Sequence, residues 1–111
     1  MPDLENSLDI NQMRVAARAA CGLLKVLANP DRLLLLCQLT QGPHCVSELA
    51  AILGIQQPTL SQQLGVLRDE ALVRTQREGK QIFYSIASNE AQAIMQVLYQ
   101  HYCAQPKGAA S

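Results

Sequence analysis

The sequence predicts a mainly α-helical winged helix-turn-helix: five helices with one β-hairpin between the fourth and fifth, working as a homodimer through the terminal helices. Three observations predict it. Two short amphipathic stretches meet at Gly54, as in a helix-turn-helix. Two alternating strands around Gly79 follow directly, the pattern of a wing. The outer helices carry more apolar surface than so small a core can cover, so pairing two copies is the simplest way to bury it.

Residues 1–8 show no period and are expected to form a flexible arm. Asp9, with Gln12 three residues on, makes a capping box for a helix to about Leu27. Its apolar face runs through Met13, Ala16, Ala20, Leu23, Leu24 and Leu27. Asn29-Pro30-Asp31 starts the next helix with an N-cap, a proline at the first helical position and an acid. That helix, to about Thr40, is apolar on every side and is expected at the centre of the core.

A short helix from about Val46 to Leu53 turns Leu49, Ile52 and Leu53 inward, with Glu48 as its capping-box partner and Gly54 closing it. The following helix has Pro58 in its first turn and Leu60, Leu64 and Leu67 on one face. Residues 72–77 and 81–86 read as paired strands joined by Glu78-Gly79-Lys80, with Ile82, Tyr84 and Ile86 facing the core. Ser88 or Asn89 caps a last helix to about Cys103, with Ala91, Ile94, Met95, Leu98 and Tyr102 on one face. One domain is expected over 9–104, and 105–111 as a flexible tail.

Composition excludes more than it identifies. The longest apolar run is Leu33 to Cys37, far short of the ~20 residues of a membrane span, and the acidic start is unlike a secretion signal. A cytoplasmic protein without a membrane role or a cofactor is expected. Net charge is zero, so any attraction to nucleic acid must be local. Four cysteines contain no Cys-x-x-Cys, which argues against a zinc ribbon or a thioredoxin site.

On the second helix of the pair, Gln56 and Gln57 at the start, then Thr59, Ser61, Gln62 and Gln63, offer amides and hydroxyls opposite the leucines. Glutamine can bond an adenine edge twice, and serine or threonine can bond bases or phosphates. By themselves these residues fit a solvated helix face equally well. The wing weights the choice, since Arg74, Arg77 and Lys80, joined by Arg68, suit a phosphate backbone. Double-stranded operator DNA is the expected partner.

Several motifs in order resemble the ArsR/SmtB family of small bacterial repressors. They are Leu24 to Leu33 into the second helix, Val46-Ser47-Glu48-Leu49-Ala50, Gln57 to Arg68, and Gly79 to Ile86. Within that family, Cys37 and Cys103 resemble the cysteine pair of a branch that senses persulfides, with relatives responding to peroxide. The resemblance implies that reactive sulfur species or an oxidant link Cys37 to Cys103 by a disulfide or polysulfide, lowering DNA affinity. Cys45 stands where that branch usually has serine, and Cys21 where it has a small apolar residue.

Electrostatics alone favours a different thiol. Cys45 sits at a helix start, where the dipole favours thiolate, whereas Cys103 sits at a helix end. A buried cysteine is also commonly just a small hydrophobe. A metal- or metalloid-responsive repressor with a thiolate site is the main alternative, though the family's metal-binding arrays are missing here. A constitutive DNA-binding module is a further one. Catalysis has only the adjacent pair His44-Cys45 to recommend it.

Overall fold

Most of the helices begin where the sequence supplies a cap. In the computed structural model, which describes residues 9–103, Asp9 Oδ1 accepts from the Gln12 backbone N–H at 2.7 Å and Gln12 Oε1 accepts from that of Asp9 at 3.1 Å. This box opens α1 (Ile10–Leu27). Asn29 Oδ1 accepts from the Arg32 N–H at 3.0 Å and opens α2 (Pro30–Leu39). The expected arm 1–8, residue 104 and the tail 105–111 lie outside the described residues.

A two-residue strand, β1 (His44–Cys45), leads into α3 (Val46–Leu53), where Glu48 Oε1 accepts from the Cys45 N–H at 3.0 Å. Gly54 follows with φ 69°, a left-handed turn that suits glycine. Then come α4 (Gln57–Asp69), β2 (Val73–Glu78), β3 (Gln81–Ile86) and α5 (Asn89–Leu98). Ser88 caps α5, accepting from the Ala91 N–H at 3.0 Å, and one π-helical turn over Tyr99–Cys103 continues it.

The wing differs from expectation in two ways. It belongs to a three-stranded antiparallel sheet in the order β1-β3-β2. His44 pairs with Tyr84 and Cys45 with Phe83, so the start of the helix-turn-helix is tied to the wing. A two-residue strand has no period of its own, which is why it escapes a reading of the sequence. The hairpin loop is also tighter than three residues, because Glu78 pairs with Gln81 and only Gly79 and Lys80 remain between. Gly79, at φ 64°, supplies the positive φ that a two-residue loop demands.

The core is built from leucines of α2, α3 and α4: Leu35, Leu36, Leu49, Leu60, Leu64 and Leu67 are fully buried. Several residues expected inward are not. Ile52 is exposed, and Leu34 breaks the all-round burial expected of α2; Met13 and Leu24, on the apolar face of α1, are exposed as well. Ile82 near the wing tip, expected to face the core, departs likewise, while Tyr102 on the apolar face of the last helix is 78% exposed. Helical spacing marks which side of a helix is apolar, and here that side is wider than the core of one chain.

Candidate functional site

The two faces of α4 separate as its sequence predicts. Leu60, Leu64 and Leu67 are 0% exposed, while Gln57, Thr59, Ser61 and Gln62 are exposed, as is the N-cap Gln56. Pro58 in the first turn needs no helical hydrogen bond for its nitrogen, so the glutamine-rich start tolerates it. The outward side thus presents amides and hydroxyls on a rigid helix, the donors and acceptors that base edges match.

Gln63 is different. It is half-buried, and its Oε1 accepts from Arg32 Nη1 at 2.9 Å. Its acceptor is engaged inside the protein, so it stands apart from its outward neighbours. Arg68 is exposed at the far end of the helix.

On the wing, Arg74, Arg77 and Lys80 are all exposed. They do not form one face. Alternation along β2 sends Arg74 to the opposite side from Arg77, and Lys80 sits in the turn. A hairpin with cations on both sides and at its tip suits a phosphate backbone that it straddles better than one it lies flat upon.

The thiols fall into three environments. Cys21 is exposed on α1. Cys45 is buried, 5% exposed, in β1, with Sγ 3.2 Å from Ser47 Oγ. The favourable electrostatics of a helix start therefore meet a thiol closed to reagents. Cys37, half-buried on α2, and Cys103, exposed at the end of the π-helical turn, line the same cavity of about 520 Å³. Leu33, Leu34, Leu98 and Tyr102 are among its other walls. Burial pushes the Cys37 thiol pKa up, and the neighbouring Cys103 adds to the shift.

His44 is no base for Cys45. Its Nδ1 is 2.7 Å from the Gly42 carbonyl and its Nε2 is 3.3 Å from Gln38 Nε2, so both ring nitrogens are engaged. Among the described residues, no three His, Cys, Asp or Glu side chains come together as a metal site. Nor is any described helix long and apolar enough to cross a membrane.

Comparison with known proteins fits this geometry. Residues 29–75, from the cap of α2 into β2, match the family described as bacterial regulatory protein, arsR family. The biofilm growth-associated repressor of Agrobacterium fabrum is 50% identical over 106 residues, covering 91% of each chain. The chain belongs to the arsR family.

Solved structures of arsR-family relatives agree throughout the fold. The transcriptional repressor BigR from Xylella fastidiosa superposes with a TM-score of 0.80 at 46% identity, covering 91% of this chain and all of that one. Reduced HlyU from Vibrio cholerae superposes with a TM-score of 0.81 at 37% identity, covering 85% and 99%. This arsR-family chain is accordingly a DNA-binding transcriptional regulator and not an enzyme.

One residue of the site went unnoticed in the sequence. Arg32 is part-buried, donates from Nε to the Val26 carbonyl at 2.5 Å and reaches Gln63 from Nη1. Its partner lies 31 positions away, beyond any local spacing rule.

Proposed function

We propose that this arsR-family regulator represses transcription by occupying operator DNA as a homodimer, and that a sulfur link between Cys37 and Cys103 releases it. In this reading Gln56, Gln57, Thr59, Ser61 and Gln62 meet base edges or nearby phosphates, while Arg68, Arg74, Arg77 and Lys80 meet the backbone. Repression is the role carried in the names of the Agrobacterium and Xylella relatives.

The dimer draws support from the apolar side chains left outside the core of one chain. Met13 and Leu24 on α1, and Val97 and Tyr102 near the other end, are all exposed. Two recognition helices across a two-fold axis would meet half-sites about one DNA turn apart.

The single observation that carries the switch is the shared cavity of Cys37 and Cys103. The chemistry needs only a persulfide donor, R–S–SH. One cysteine thiolate attacks the outer sulfur, expels the thiol R–SH and becomes Cys–S–SH. The second thiolate then attacks the cysteine sulfur and expels hydrogen sulfide, closing a disulfide. If a further sulfur is transferred first, the same expulsion leaves a trisulfide. The donor sulfur is reduced to sulfide and the two thiols are oxidised. Such a link ties α2 to the end of the last helix, and a coupling of about 1–3 kcal/mol would suffice for regulation.

The test is operator binding before and after treatment with sodium tetrasulfide, with mass spectrometry of the thiols. Release accompanied by a link from Cys37 to Cys103 is expected. Release that persists in Cys37→Ser excludes the switch.

A further inference from the structure

We propose that Arg32 is the positioning residue through which the state of α2 reaches the recognition helix, by way of its hydrogen bond to Gln63. In its regulatory aspect this rests on the thiol switch proposed above; in its positioning aspect it stands alone.

Arg32 sits where three elements meet. Its backbone N–H takes the Asn29 cap, fixing it in the first turn of α2. Its Nε holds the Val26 carbonyl in the last turn of α1, and its Nη1 holds Gln63 in the middle of α4. One planar guanidinium therefore spans the end of α1 and the recognition helix from a base on α2. A rigid fork fixes two acceptors at a set separation, which a lysine ammonium does not reproduce.

Position on α2 makes this contact a lever. Cys37 lies five residues beyond Arg32 on the same ten-residue helix, so drawing Cys37 toward Cys103 tilts or slides the helix that carries the guanidinium. Core leucines join α2 to α4 by burial, which has no direction of its own. The hydrogen bond is directional, and small displacements weaken it steeply. Gln63 lies beside Gln62 and one turn from Thr59, so the pose it holds is that of the side chains offered to bases.

The experiment is a double-mutant cycle on operator affinity, using Arg32→Ala, Gln63→Ala and the double variant in the full chain, reduced and after sodium tetrasulfide. Melting temperatures verify folding, and Arg32→Lys and Gln63→Glu serve as conservative variants. Each alanine variant is expected to weaken binding by reduced protein roughly tenfold, as for loss of a hydrogen bond to a charged group. The double variant is expected to be no weaker than either single one. Gln63→Glu, which keeps the acceptor, retains the ratio of affinities before and after tetrasulfide, whereas Arg32→Ala shrinks it. Additive losses in reduced protein overturn the proposal, as does an unchanged ratio in Arg32→Ala when the unaltered protein responds. If the unaltered protein ignores tetrasulfide, the thiol switch fails and the reduced-state cycle alone decides the role of Arg32.

Discussion

Cys37 and Cys103 share the walls of one apolar cavity but differ in access, the first half-buried on α2 and the second exposed at the chain's last described turn. Access and thiolate fraction together set how fast a thiol reacts.

Alkylation should follow burial. Iodoacetamide at pH 7 is expected to label Cys21 and Cys103 first, Cys37 later and Cys45 last, as followed by peptide mass spectrometry. Cys45 labelled as fast as Cys21 in folded protein would contradict its burial in β1.

The Cys37 pKa is raised by its surroundings. Its alkylation rate should still be climbing with pH where a free thiol has levelled off. The folded state holds this proton more tightly, so any contribution to stability is complete at neutral pH and is lost as pH rises through the folded pKa. Rate profiles from pH 7 to 10 at Cys37, read by peptide mass spectrometry in protein that keeps Cys103, measure the shift, and a Cys103→Ser variant should show a smaller one.

Wing cations should act without regard to sequence. Arg77→Ala or Lys80→Ala is expected to weaken operator and random DNA alike. Each should reduce the slope of log affinity against log salt by about 0.9 per lost phosphate contact. Gln62→Ala should instead cost about 1–3 kcal/mol on the operator and relax preference at one base position.

The buried and exposed leucines should separate folding from assembly. Leu64→Ala removes a fully buried side chain from α4 and is expected to cost about 2–5 kcal/mol of stability in urea denaturation. Leu24→Glu places a charge on a side chain 55% exposed. The folded chain should tolerate it, while sedimentation should shift toward monomer and operator affinity should fall.

Element types were legible because their signals are local. Asp9 with Gln12, Asn29 before Pro30, and Gly54 after Leu53 each fix a boundary within a few residues of chain. The division of α4 was legible for the same reason, since Leu60, Leu64 and Leu67 declare a face. What stayed hidden was whatever depends on distant partners. The pairing of Cys45 with Phe83 and the contact of Arg32 with Gln63 join positions more than 30 apart. Amide identity alone made Gln63 look like its neighbour Gln62; only the tertiary contact tells them apart. The exposed Leu34 and Tyr102 show a related limit, because periodicity marks an apolar face without saying how much of it the core covers.

The short pairing of His44 and Cys45 with the wing's inner strand gives the DNA-facing head its mechanical character. Hairpin and the start of α3 are stitched into one paddle, so in the proposed reading the wing and the helix-turn-helix should leave the duplex together. An inducer that turns the paddle should empty the operator outright rather than leave a loosely held, sequence-blind complex behind.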